Sequence, residues 1–225
     1  MTPERRPLIA IDGVAGAGKS TLAAELARRL GVEMLDTGAM YRAVALLALR
    51  RGVDPCSGDR LEEVARAMRF QPGPPPVLDD EAVGAALRTP QVDAAVSLVA
   101  SHAGVRAELV RRQREWIAGR NGGVVEGRDI GSVVAPEADL KLYLVAQPDV
   151  RASRRAAQRD GEPEDAGSEA AEAARHGALQ LELEARDRHD SSRATAPLAQ
   201  APGARVVDTS EATVDELVGM VMSWL

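Results

Sequence analysis

Apolar residues fall into short runs separated by stretches of helical periodicity. Leu8-Ile-Ala-Ile-Asp12 reads as a strand, and after a glycine-rich loop Leu22, Leu26 and Leu30 recur at i, i+4 and i+8, one face of a helix. Glu33 to Asp36 makes a second strand, with Thr37 placed to cap a helix from Gly38 to Arg51 that Gly52 ends. Further runs at Gly123 to Val125, Leu140 to Val145 and Arg205 to Val207 each sit near helical sequence. Short strands alternating with helices predict an α/β fold with a five-stranded parallel sheet covered on both faces.

Two stretches break the alternation. Residues 57–120 carry helical sequence near Leu61 to Met68, prolines from Pro72 to Pro76, a candidate hairpin around Val77 to Val83, and two helical stretches through Ala94 to Ala118. That is too much chain for a connection and predicts an inserted lobe. Asp160 to Glu172 is acidic, glycine-containing and apolar-poor, which predicts a mobile loop. The segments 1–56, 121–159 and 174–225 are left as the core of a single unit.

Composition narrows the partners. Hydrophobic residues at 45% and charged ones at 28% are ordinary globular usage, while 28 basic against 34 acidic residues give −6 and argue against binding long nucleic acid. Lys19 and Lys141 are the only lysines, so arginine abundance is a chain-wide bias and a single arginine is a weak pointer. Cys56 is the only cysteine and the three histidines are dispersed, which excludes an intrachain disulfide and offers no zinc cluster. No apolar run is long enough for a signal sequence or a membrane span, so the expectation is a cytoplasmic protein with no membrane partner.

The loop Gly13-Val14-Ala15-Gly16-Ala17-Gly18-Lys19-Ser20, followed by Thr21, fits the phosphate-binding pattern G-x-x-x-x-G-K-[ST] between a strand and a helix. Its amides wrap phosphate oxygens, Lys19 reaches the β/γ phosphates, and the Ser20 hydroxyl is placed to ligate magnesium. Such a loop binds a nucleoside triphosphate without naming what receives the phosphate. No N-K-x-D exists to mark a switch GTPase, and Val124-Val125-Glu126 runs at once into Gly127-Arg128-Asp129, unlike the end of a large ATPase strand. Arg128 and Asp129 stand just past a strand end, where open parallel sheets bind ligands, although a local turn salt bridge fits them equally. Arg186, Asp190 and Arg193 share one helical face, as either a cationic site or a solvated ladder. Thr37, Tyr41 and Arg42 offer a hydroxyl, a ring and a guanidinium after the second strand, with a core role the alternative for Tyr41. Arg106 and the cations Arg111, Arg112 and Arg114 are by default solvent-exposed.

Taken together, Ile11-Asp12-Gly13 through Thr21, Leu35-Asp36-Thr37-Gly38 with Tyr41-Arg42, Glu126-Gly127-Arg128-Asp129-Ile130-Gly131, and Arg186-Asp187-Arg188-His189-Asp190-Ser191-Ser192-Arg193 with Ala196-Pro197-Leu198 resemble bacterial cytidylate kinases, in the same order and from about Leu8 to Val218. The resemblance implies a P-loop kinase fold and transfer of the ATP γ-phosphoryl group to CMP or dCMP with Mg2+. It makes residues 57–120 the monophosphate-binding lobe, its small sheet shorter than the family's usual one because of Pro72 to Pro76, and residues 160–173 the lid, here longer and more acidic than the family's usual one. It implies that Ser97, Arg106 and Asp129 read cytosine, that Arg42 and Arg128 hold the acceptor phosphate, and that Arg186, Asp190 and Arg193 face ribose and phosphates. Arg154, Arg155 and Arg159 would approach the transferring group from the lid hinge. Lys19, Arg128, Arg155, Arg159 and Arg186 are thus the expected catalytic set, Thr37 and Tyr41 join the acceptor side, and a monomer is expected. The rival readings are a kinase for another small acceptor, such as UMP or a sugar acid, and a nucleotide-binding regulatory module without turnover.

Overall fold

A computed structural model describes residues 5–159, 169–192 and 197–225. The chain begins β1 (Leu8–Gly13), α1 (Lys19–Leu30), β2 (Met34–Asp36) and α2 (Thr37–Arg50). It then makes α3 (Gly58–Ala67), the short strands β3 (Phe70–Gln71), β4 (Val77–Leu78) and β5 (Glu81–Ala82), and helices α4 (Pro90–Val99) and α5 (Ala103–Ala118). It returns through β6 (Gly123–Glu126), β7 (Leu140–Val145), α6 (Pro148–Arg159), α7 (Glu169–Ser191), β8 (Arg205–Asp208) and α8 (Val214–Met222).

The main sheet has five strands in the order β2-β6-β1-β7-β8, every pairing parallel. Alternation along β1 sorts the core onto two faces. Leu8 and Ala10 pack with Leu35, Val125 and α2, whereas Ile9 and Ile11 pack with Val124, Leu142, Leu144 and the apolar sides of α1 and α8. With both faces covered, the central strands lose the polar alternation of a half-exposed sheet.

Residues 57–120 are not a detached unit. Leu61, Val92, Val96, Val105 and Leu109 belong to the same buried cluster as Val44 and Leu47 of α2, so the segment is built on the core through that helix. Its antiparallel sheet β3-β4-β5 has only two residues per strand, the short sheet that the prolines predict.

Three local expectations change. Asp36 caps α2, its Oδ1 accepting from Ala39 N at 2.9 Å, because the Thr37 hydroxyl instead donates to Glu126 O at 2.7 Å and ties the end of β2 to β6. Helix α7 starts at Glu169, so the last residues of the expected loop are helical; residues 160–168 lie outside the described residues. After β6 the chain makes a π-helical turn at Ile130–Val134, which no periodicity signalled. Asp12 anchors it, accepting from Ile130 N at 2.7 Å and Gly131 N at 2.8 Å.

Candidate active site

Parallel strands all end on the same edge, and there the loop after β1 enters α1. Gly13 sits at φ +145, and a Cβ on it would lie 2.2 Å from Leu144 O, so the loop can leave the sheet this close to β7 only through glycine. Gly16 and Gly18 are likewise left-handed, which turns the loop into a cradle of amides. Lys19 Nζ donates to Gly13 O at 3.0 Å and Val14 O at 2.8 Å. Burial, then the nearby Arg128 guanidinium, lowers its pKa to about 7. Asp187 of α7 accepts from Ala15 N at 3.0 Å and pairs with Arg151 of α6, whose Nη1 donates to Ala15 O at 3.1 Å. The two helices thus rest directly on the phosphate loop.

Beside the loop, the Ser20 hydroxyl hydrogen-bonds to Glu126, a buried carboxylate whose Oε1 has no partner among the described residues. Burial, then the charge of Asp36, raises the Glu126 pKa to about 7. No three His, Cys, Asp or Glu side chains among the described residues converge as a metal cage. Ser20 and the unsatisfied Glu126 oxygen nevertheless fit a divalent ion held mainly by nucleotide phosphates and water, the usual arrangement for magnesium.

The cleft continues from Gly16, Gly18, Lys19, Ser20 and Thr21 to Thr37, Tyr41, Arg42, Ser97, Arg106, Arg128, Asp129, Arg155, Arg186 and Asp190, so one cavity joins most of the sequence-predicted residues. Arg106 of α5 is buried and its Nη2 donates to Asp129 Oδ2, 23 positions away in the chain. Its guanidinium also lies 5.9 Å from the Tyr41 ring centre. The default exposure expected for Arg106 is therefore wrong, and Tyr41 is at once buried and part of the cleft wall. Arg111 does match the default: it is exposed and paired with Glu108 and Glu115.

Arg128 does not form a local turn pair with Asp129. It donates to Gly13 O at 3.0 Å and pairs with Asp187 at 3.3 Å and Asp190 at 3.2 Å. Asp190 is 1% exposed, which removes the solvated-ladder reading of this helix face. Arg186 points into the same group; burial, then Arg128 and Arg42, lowers its pKa to about 9, and its buried Nε has no partner among the described residues. Cations brought this close while one donor stays unmet make a site built for an anion.

The arginines expected at a lid hinge separate. Arg155 lines the cleft, whereas Arg154 turns to Thr209, donating to its Oγ1 at 3.0 Å and its carbonyl at 2.7 Å beside the phosphate loop. Arg193 and the side chain of Arg159 lie outside the described residues. Arg88, exposed at the cleft mouth, and the buried carboxylates Asp12 and Asp93 were missed. In an arginine-biased chain Arg88 carried no distinguishing signal, and an isolated aspartate signals nothing until its partners are known.

Residues 9–225 match the family model described as cytidylate kinase. A cytidylate kinase of Solibacter usitatus is 46% identical over 221 residues, covering 96% of this chain and 90% of the relative. One of Mycobacterium avium is 43% identical, covering 94% and 91%. A bifunctional pantoate ligase/cytidylate kinase of Gloeobacter violaceus is 44% identical, and the chain spans 43% of its length. Among solved structures, an uncharacterized protein from Eubacterium ventriosum superposes with a TM-score of 0.54 at 11% identity, covering 98% of each chain, a likeness of fold alone.

Proposed function

The chain belongs to the cytidylate kinase family, and on that premise we propose how its residues carry the transfer of a phosphoryl group from ATP to CMP or dCMP. The observation that carries the assignment of roles is the single cleft in which the phosphate loop faces the buried Arg106–Asp129 pair across a group of arginines.

ATP is the donor. Its phosphates lie along the amides of residues 13–21 and draw the Lys19 ammonium off Gly13 O and Val14 O, raising its pKa again as they neutralise the surrounding cations. Ser20, with the buried Glu126 carboxylate beside it, would hold magnesium. When bound, the ion shields the phosphate oxygens and stabilises charge developing on the bridging oxygen.

On the acceptor side Asp129 accepts from the exocyclic amine of cytosine, and Arg106 and Ser97 meet the rest of the base edge. Uracil presents a carbonyl where cytosine has its amine, which would leave the Asp129 carboxylate facing another acceptor. Thr37 and Tyr41 wall this end, and Asp190 accepts from a ribose hydroxyl. Arg42 and Arg128 hold the acceptor phosphate, and Arg155 and Arg186 face the transferring group, with Arg159 and Arg193 assigned by family resemblance. Phosphoryl transfer asks the protein for in-line placement and for cations around a spreading charge, which arginines arriving from α2, α6, α7 and the loop after β6 provide. We place the enzyme in the cytoplasm, as a monomer; no helix among the described residues is long and apolar enough to cross a membrane.

A coupled assay of ADP release across nucleoside monophosphates, with magnesium and with chelator, tests the reading. Release that needs CMP or dCMP and stops with chelator is expected. Equal release with no acceptor, or a preference for UMP, overturns it.

A further inference from the structure

Behind the arginine group stands a carboxylate that none of the roles above uses. Asp93 lies in the first turn of α4, its side chain only 4% exposed. Its Oδ1 accepts from Arg42 Nη1 of α2 at 2.7 Å, and its Oδ2 accepts from Arg155 Nη2 of α6. Both guanidiniums line the cleft and Asp93 does not. One buried carboxylate thus holds two cleft-facing cations that come from different helices.

We infer that Asp93 is a positioning residue for acceptor binding: from behind the cleft wall it fixes Arg42 and Arg155 side by side before the acceptor phosphate arrives. The physical need is plain. Two neighbouring guanidiniums largely withdrawn from water repel each other, and without an anion between them the long side chains would swing apart into solvent. Each arginine spends one terminal nitrogen on Asp93 and keeps donors for the cleft. A position in the first turn of α4 also places Asp93 at the positive end of the helix dipole, which favours the charged carboxylate.

The placement has a second consequence. Ser97, on the cleft wall, is one helical turn after Asp93 on the same face of α4. One helix thereby meets the base end of the acceptor through Ser97 and sets the phosphate end through Asp93. Arg42 holds the acceptor phosphate and Arg155 faces the transferring group, whereas donor binding rests mainly on the amides of the phosphate loop, so loss of the carboxylate should be felt in the acceptor's KM and in turnover, with the donor's KM little changed.

A different role would reverse the sign. If Asp93 were a stand-in for phosphate that substrate must displace, its removal would tighten CMP binding.

The inference rests on CMP as acceptor, so the parent chain is assayed first: absence of CMP-dependent ADP release there would remove the functional reading and this role with it. Given turnover in the parent, Asp93→Asn is compared in CMP titrations at saturating ATP and in ATP titrations at saturating CMP. The expected result is a CMP KM raised about tenfold with lower kcat, and an ATP KM within about twofold of the parent. An unchanged or lowered CMP KM, or equal rises in both KM values, overturns the role of Asp93 alone. Combined with Arg155→Gln, the loss in kcat/KM for CMP should be smaller than the product of the two single losses, because the carboxylate acts through that guanidinium. Multiplying losses would overturn it. Should Asp93→Asn fail to fold, Asp93→Glu serves: the charge is kept and its reach altered, so the CMP KM still rises, and an unaltered CMP KM there counts against the inference equally.

Discussion

Lys19 is the residue whose environment differs most from the one its sequence motif suggests. In the free protein it bridges two carbonyls of its own loop and sits near neutrality, because burial and Arg128 both disfavour its charge. Nucleotide phosphates outweigh both influences by bringing negative charge to the ammonium, so Lys19→Ala should lower kcat by about 100-fold or more while the fold survives. Lys19→Arg should rescue poorly, since a planar fork does not fit where a compact ammonium bends back onto Gly13. Steady-state rates and circular dichroism check both. Asp129 calls for a gentler substitution. Removing its side chain would strand the buried Arg106, a loss of about 3–5 kcal/mol in stability, whereas Asp129→Asn keeps an acceptor for that guanidinium. The asparagine variant should lose about 1–3 kcal/mol of its preference for CMP over UMP, read from the ratio of kcat/KM values, with little change in the ATP KM.

At the level of elements, the sheet edge and the turn after β6 are joined through one side chain. Asp12, on β1, takes the two amides that open the π-helical turn, and that turn holds the preceding Arg128 and Asp129 in place. Asparagine can accept from one of those amides but turns an amino group toward the other. Asp12→Asn should therefore raise the CMP KM several-fold more than the ATP KM. Burial raises the Asp12 pKa from 3.8 to about 6, against the opposing pull of its two amide hydrogen bonds. Between those values the folded protein holds a proton that the unfolded chain has released. The stability Asp12 contributes is then complete below about pH 4 and is lost as pH rises through about 6. Chemical denaturation from pH 4 to 7 should show this downward component in the parent and not in Asp12→Asn.

Across the whole molecule, α6 and α7 are attached more by charge than by apolar packing. Ala152 and Leu183 are their buried apolar anchors among the described residues, whereas Arg151–Asp187, Arg128–Asp187, Arg128–Asp190 and Arg155–Asp93 tie them to the loop, the turn after β6 and α4. An assembly held this way responds to polyanions, because bound phosphates relieve the repulsion among Arg42, Arg128, Arg155 and Arg186. Amide hydrogen exchange in the C-terminal half of α6 and the N-terminal half of α7 should therefore slow when CMP and a non-hydrolysable ATP analogue are both bound. Exchange there that is the same in free and doubly bound protein would argue against closure of this hairpin on the substrates.

Patterns that repeat locally were legible in the sequence. The five strands, most of the helix limits and the phosphate loop follow from runs, periods and glycines that act within a few residues of themselves, and the family could be recognised because its motifs are contiguous. The partner of each charge was not legible. Arg128 and Asp129 are adjacent in sequence yet turn to α7 and α5, Arg106 is buried, and Thr37 lost the cap to Asp36 because a strand from a distant part of the chain offered its hydroxyl a carbonyl. Asp12 and Asp93 have no sequence signature, since a carboxylate is distinguished only by what faces it. Which charges are buried, and against which partners, is decided by close packing of segments far apart in the chain, and only the tertiary structure sets that geometry.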